Sequence, residues 1–157
     1  MSHKNNLNNN EELSLVIIKP DALSKGIAGR IITQFEQIGL KIRAARMDWL
    51  NAKQAKKFYS EHKKKDFFRP LIKFMTSNPI LVMVFGGEDA IERVRKLMGA
   101  TDPSQAKQGT IRDRWARDGR HNVVHGSDSE ESAKKEINFF FPRFKNIYKW
   151  KKKEYKI

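Results

Sequence analysis

Between Asn122 and Glu136 the chain reads NVVHGSDSEESAKKE, with a histidine at 125, a serine at 127 and a glutamate at 136. A neutral imidazole becomes a nucleophile when a partner fixes one nitrogen as a donor and leaves the other with a bare lone pair. Glu136 lies at the edge of an apolar helical face defined by Ala133, Ile137 and Phe140. A carboxylate there can turn back toward His125, directly or through Ser127. Ser127 with Glu130, and Asp128 with Glu131, both fit a small-polar-x-x-Glu helix start, which predicts His125 just ahead of a helix N-terminus. The alternative is an ordinary histidine before a well-capped helix. The spacing His121-x-x-x-His125 also permits two metal ligands, but no third ligand accompanies it in the sequence.

Other residues add anion-binding chemistry. Lys19, Arg95 and Arg112 stand at the ends of three expected elements, with Thr101 and Asn122 as neutral donors. Lys19 ends a strand, where open α/β sheets present ligand groups. Arginine suits phosphate because its planar fork donates two hydrogen bonds to one oxyanion. Each taken alone also reads as a surface charge.

The elements that must position these groups follow from pattern. Leu13 to Lys19 (LSLVIIK) reads as a buried strand stopped by Pro20, and PDALSKG as a polar turn. Ile27, Ile31, Phe35 and Ile38 recur at helical spacing, with Gly39 past the end. Leu40 to Leu50 reads as a second strand, and Asn51 as the N-cap of the next helix. FFRPLIKFMTSNP predicts a shorter helix interrupted near Pro70, followed by the strand Ile80 to Phe85. Ile91, Val94, Leu97 and Met98 mark another helix. ATDPSQAKQGTIRDRWARDGRHN is a long irregular piece, of the kind that carries function in a compact domain. Val123 and Val124 fit a short last strand before the final helix, which Pro142 ends. This order predicts an α/β sandwich with helices on one face of the sheet.

Composition bounds the rest. With 157 residues, one domain is expected: a polar, Asn-rich leader over 1–12, a domain over 13–142 and a basic tail over 143–157. The absence of cysteine excludes disulfides and thiolate metal sites and fits a reducing cytoplasm. No apolar run reaches the length of a membrane span, and the N-terminal stretch lacks the apolar core of a signal peptide. The formal charge is +14. Lys53 to Lys73 carries eight basic against two acidic residues and Arg143 to Ile157 seven against one, together twelve of that excess. Such a balance favours polyanions and nucleotides as partners.

Taken together, NVVHGSDS with Glu136 downstream, KPDAL near the start, GATDP and GTIR resemble the nucleoside diphosphate kinase family from about Leu13 to Phe141. The resemblance implies transfer of the terminal phosphate of ATP or another nucleoside triphosphate to a nucleoside diphosphate, in two half-reactions through a phosphohistidine. It implies that His125 is phosphorylated, that Glu136 and Ser127 orient it, and that Tyr59 lies beside it. Lys19, Arg95, Arg112, Thr101 and Asn122 match the phosphate and sugar contacts, and Phe67 the aromatic that stacks on the base. Mg²⁺ would ride on the nucleotide phosphates rather than in a protein cage. The implied fold is ferredoxin-like, a mainly antiparallel sheet covered by helices, and the implied assembly is a tetramer or hexamer built of dimers. Three residues depart from the family pattern: Gly119 where an apolar wall of the base slot is usual, Gln108 in place of a proline, and Asn78 in place of a glycine. The rival reading is a nucleic-acid-binding α/β module using the basic surface, although LSLVIIK and ILVMVF lack its aromatic strand motifs. Nucleic acid as a secondary partner of the basic surface is compatible with the kinase reading.

Overall fold

The computed structural model describes residues 11–144. Most of the expected leader and tail lies outside these residues. The chain builds a four-stranded sheet in the order β2-β3-β1-β4, from β1 (Glu12–Ile18), β2 (Lys41–Asp48), β3 (Ile80–Gly87) and β4 (Val124–Gly126). All three pairings are antiparallel. This is the expected α+β, ferredoxin-like arrangement.

The strand β1 explains why the sheet has two covered faces. Its residues from Ser14 to Ile18 are all buried, and alternate side chains enter different cores. Leu15 and Ile17 join Val82, Val84 and the apolar sides of α3 (Ala52–Phe58), α4 (Phe68–Met75) and α7 (Glu130–Phe140). Val16 and Ile18 join Met83, Phe85 and the sides of α2 (Ala28–Gln37), α5 (Ala90–Met98) and α6 (Ile111–Trp115). Helices therefore pack on both faces, not one as the element order predicts. A continuous apolar strand is the mark of burial on two sides.

Local rules place most boundaries. Asn51 caps α3 by a reciprocal box, accepting from Gln54 N at 2.9 Å while Gln54 Oε1 accepts from Asn51 N at 2.9 Å. Gly39 follows α2 at φ 83°, a left-handed conformation that glycine adopts without a Cβ clash. Phe35 of α2 packs on Phe85 of β3 with ring centroids 5.0 Å apart.

Three expectations change. PDALSKG is not an open turn but starts with a short helix, α1 (Pro20–Ser24), with Pro20 at its first position, where a missing N–H costs nothing. Pro70 does not interrupt α4, because it falls in the first turn, whose N–H groups have no intrahelical partner. The long segment after Gly99 is partly ordered into a 3₁₀ turn (Pro103–Gln105) and α6, whose N-cap Thr110 accepts from Asp113 N at 3.4 Å.

Candidate active site

His125 is the middle residue of β4 and lies directly opposite Ile17 of β1. Paired residues on neighbouring strands share a face, so the imidazole points to the α3 and α7 side. The next residue points the other way, against α5. A Cβ at Gly126 would come within 2.5 Å of Met98 Sδ and 2.8 Å of Val94 Cγ1. The glycine beside the histidine thus allows β4 to sit close against α5.

The expectation of a histidine at a helix mouth is corrected here. Ser127 N donates to Leu15 O at 3.0 Å, extending the pairing with β1. Helix α7 starts only at Glu130, capped by Ser129, whose Oγ accepts from Ser132 N at 3.1 Å. Neither Ser127 nor Asp128 is the N-cap. The β1 backbone competes successfully for Ser127, which local pattern cannot reveal.

The orienting chain is otherwise as expected. His125 Nε2 lies 3.0 Å from Oε2 of Glu136, in the middle of α7. Ser127 Oγ donates to the same Glu136 oxygen at 3.0 Å and accepts from Leu15 N at 3.0 Å. With the carboxylate accepting, Nε2 carries the proton and Nδ1 presents its lone pair. Phe58 and Tyr59 wall the imidazole edge-on, with ring centroids 5.6 and 6.4 Å from it. The Tyr59 hydroxyl is buried and has no hydrogen-bond partner among the described residues. Burial, then the nearby Glu136 charge, pushes its ionisation well above the usual phenol range.

A second cluster gathers at the other end of β4. Lys19 follows β1, is 6 % exposed, and donates from Nζ to Asn122 Oδ1 at 2.6 Å. Burial, then the neighbouring Arg112 charge, lowers its pKa to about 7, against a smaller raising effect of Asp21. Arg112 is also buried, and its guanidinium donates to the carbonyls of Gly99, Asn122 and Val124 at 2.9, 3.3 and 2.9 Å. Burial and Arg95 lower its pKa to about 10. Asn122 Nδ2 donates to the carbonyls of Gly119 and Thr101 at 2.8 and 3.3 Å. Arg95 is exposed on α5, and Phe67 is 46 % exposed with its ring 5.4 Å from that of His62. The structure therefore joins His125, Glu136, Ser127 and Tyr59 at one end, and Lys19, Asn122, Arg112 and the Thr101 backbone at the other. Phe67 is in neither hydrogen-bonded network; its ring meets that of His62, which stacks 6.4 Å from Tyr59.

The chain matches the family model described as "Nucleoside diphosphate kinase" over residues 12–146. A protein of Anaeromyxobacter sp. (strain K) named nucleoside diphosphate kinase is 51% identical over 142 residues, which cover 90% of this chain and 97% of that one. One of the same name from Dechloromonas aromatica is 52% identical over 131 residues, covering 83% and 92%. The solved structure of the Aquifex aeolicus nucleoside diphosphate kinase superposes with a TM-score of 0.81 at 41% identity, covering 84% of this chain and 96% of that one. A Halobacterium salinarum nucleoside diphosphate kinase solved in complex with CDP gives 0.81 and 41%, with 84% and 88% covered.

The chain belongs to the nucleoside diphosphate kinase family.

It is accordingly a phosphotransferase of that kind, with the family's antiparallel α+β fold. The rival reading of a nucleic-acid module as the main activity finds no support. Among the described residues no helix is long and apolar enough to cross a membrane.

Sequence reasoning missed three residues in this kinase. Phe58 faces His125 from the last turn of α3, where Tyr59 drew attention instead. Asp21, inside the quoted KPD motif, accepts from Val123 N at 3.2 Å and offsets the cationic neighbours of Lys19. Val123 has φ 63°, an outlier for a β-branched residue, and its carbonyl accepts from Lys19 N at 2.9 Å. Nothing in the residue type signals that strain.

Proposed function

We propose that His125 carries the phosphoryl group between nucleotides in a ping-pong cycle. The observation that carries this reading is the hydrogen bond from Nε2 to Glu136, which leaves the Nδ1 lone pair as the nucleophile. Nδ1 forms a bond to the terminal phosphorus of a nucleoside triphosphate while the bridging P–O bond breaks and the diphosphate departs. A second diphosphate then attacks the phosphohistidine through its terminal oxygen, and the N–P bond breaks. Glu136 and Ser127 hold the ring through both steps, and Tyr59 packs beside it.

Phosphoryl transfer asks the protein for positioning and charge compensation more than covalent work. Lys19, Arg95 and Arg112 supply positive charge, and Thr101 and Asn122 supply polar contacts to phosphate and sugar. Mg²⁺ enters with the nucleotide as part of the substrate, neutralising phosphate oxygens. Phe67 stacks on the base through its exposed ring, which reads only a π-face and so tolerates many bases. A Cβ at Gly119 would meet nothing within 4 Å, so the opposite side of the base is left open.

The kinase acts in the cytoplasm, in line with its lack of cysteine. It assembles as a homo-oligomer of dimers, for which the outer strand β2, with Ile42 and Met47 exposed, offers an apolar sheet edge. Nucleic acid is a secondary partner of the basic surface.

Incubation with ATP and Mg²⁺, removal of nucleotide and intact-mass measurement tests the cycle. An acid-labile phosphoryl group is expected on the wild type, none on His125→Ala, and transfer of the label to added GDP. An unlabelled wild type that still binds nucleotide would sink the reading.

A further inference from the structure

The backbone just before β4 is strained, and its partners show what holds it so. Val124 N donates to Asn122 O, two residues back, at 2.7 Å, which closes a γ-turn with Val123 at its centre. The positive φ of Val123, 63°, makes this the rare form of the turn, which a β-branched residue adopts only under constraint. Glycine would take that backbone without a Cβ clash, but Val123 is fully buried on the α2, α5 and α6 face, where its side chain fills the core.

One short segment grips the turn. Pairing between β1 and β4 ends at Ile18 and Val124. Beyond it, Lys19 N donates to Val123 O at 2.9 Å, and Val123 N donates to Asp21 Oδ2 at 3.2 Å. Lys19 Nζ reaches the Asn122 side chain. Pro20 stands between Lys19 and Asp21 and starts α1 with a fixed φ, so the lysine and the carboxylate keep a set spacing. From the other side Arg112 donates to the carbonyls of Asn122 and Val124. Asp21 is the side chain that holds the N–H of the strained residue itself.

For stability alone this carboxylate is a poor choice. Its second oxygen, Oδ1, is buried with no hydrogen-bond partner among the described residues, which costs stability rather than adding it. What the turn connects explains why it is there. The turn is the whole covalent link between Asn122 at the lysine end and His125 at the other. An extended Val123 would carry Asn122 along the strand direction and away from Lys19. We propose that Asp21 is a positioning residue for phosphoryl transfer. By holding Val123 N it keeps the turn in its strained form, and so keeps Lys19 and Asn122 in one frame with the His125 ring. This role rests on His125 being the phosphoryl carrier. Asp21 also acts on Lys19 through its charge, so the test must separate charge from clamp.

Rapid-quench labelling of the full chain with saturating ATP and Mg²⁺, read by intact mass, makes that separation. Asp21→Ala removes charge and acceptor together and should slow labelling by about tenfold or more, the scale of strain that such a turn stores. Asp21→Asn loses the same charge but keeps an acceptor for Val123 N, and should recover most of the loss. Val123→Gly takes away the need for a clamp, because glycine adopts a positive φ freely. In that background Asp21→Ala should cost about threefold or less, the coupling that a double-mutant cycle reads between neighbours. Amide hydrogen exchange gives a second readout without nucleotide: peptides containing Val123 and Val124 should exchange faster in Asp21→Ala than in wild type or Asp21→Asn. Equal losses in Asp21→Ala and Asp21→Asn would assign the effect to charge and overturn the clamp. So would equal losses of Asp21→Ala in the valine and glycine backgrounds, or unchanged exchange in Asp21→Ala. If Val123→Gly does not fold, the alanine and asparagine pair still decides. A wild type that binds nucleotide but stays unlabelled overturns the carrier reading and this role with it. A labelled wild type matched in rate by Asp21→Ala overturns the role of Asp21 alone.

Discussion

The two ends of β4 solve opposite problems. At the histidine end the groups around the imidazole are paired with one another, apart from the buried Tyr59 hydroxyl: Ser127 bonds the β1 backbone and Glu136, and Glu136 bonds His125. At the lysine end, like charges crowd together. Burial first and then Arg112 depress the pKa of Lys19, burial first and then Arg95 depress that of Arg112, and only Asp21 among the causes acting on Lys19 opposes this. The Ser127–Glu136–His125 chain at the first end is satisfied by the fold itself. The second holds buried, like-charged cations whose electrostatic tension a bound anion would relieve.

Removing Lys19 probes the tense end and should have the largest effect. Lys19→Met is expected to lower transfer from ATP to GDP by about 10²–10³-fold, as loss of one transition-state charge contact does. It should also change how stability depends on pH. The folded pKa of about 7 lies below the ordinary 10.5, so between these values the unfolded chain holds more protons on this lysine. Wild-type stability therefore rises with pH from about 7 toward 10.5, and the cost of burying the charge is fully present below 7. Urea titrations should show the wild type gaining up to about 1.4 kcal/mol per pH unit relative to Lys19→Met in that window. Parallel curves for the two proteins would remove the tension from the comparison.

A smaller effect is expected at the satisfied end. Glu136→Gln keeps an acceptor near Nε2 but drops the charge, and should slow phosphorylation of His125 by about 10–100-fold, the range for losing an orienting partner of a functional histidine. Little change in stability should accompany it. A loss of stability with unchanged phosphorylation kinetics would make Glu136 a packing residue rather than an orienting one.

Ser127→Ala should show mainly in stability. It strips Leu15 N of a buried acceptor, at a cost of about 1–3 kcal/mol, while Glu136 still reaches His125 directly. Chemical denaturation measures this. A rate loss as large as that of Glu136→Gln, without loss of stability, would show that the serine sets the carboxylate rather than the strand.

Much of this architecture was legible in the residues alone. The branched apolar runs located β1 and β3, the spacing of Ile31 and Phe35 located α2, and Asn51 announced α3, because these signals act between near neighbours. NVVHGSDS with Glu136 downstream also pointed to the pairing of His125 with Glu136. Faces and contests were not legible. β1 alternates between two cores, which a uniformly apolar run cannot display.

What the sequence by itself determined, then, is which groups are available and roughly where each element runs. What the tertiary structure decided is who wins each shared group. Ser127 can cap a helix or bond a strand, and it bonds Leu15, 112 residues away. Lys19 can face solvent or be buried, and it meets Asn122 across 103 residues. Hydrogen-bond donors and buried charges take their partners from whatever the fold brings alongside. That choice lies in the packing of β4 between β1 and its helices, and no local spacing records it.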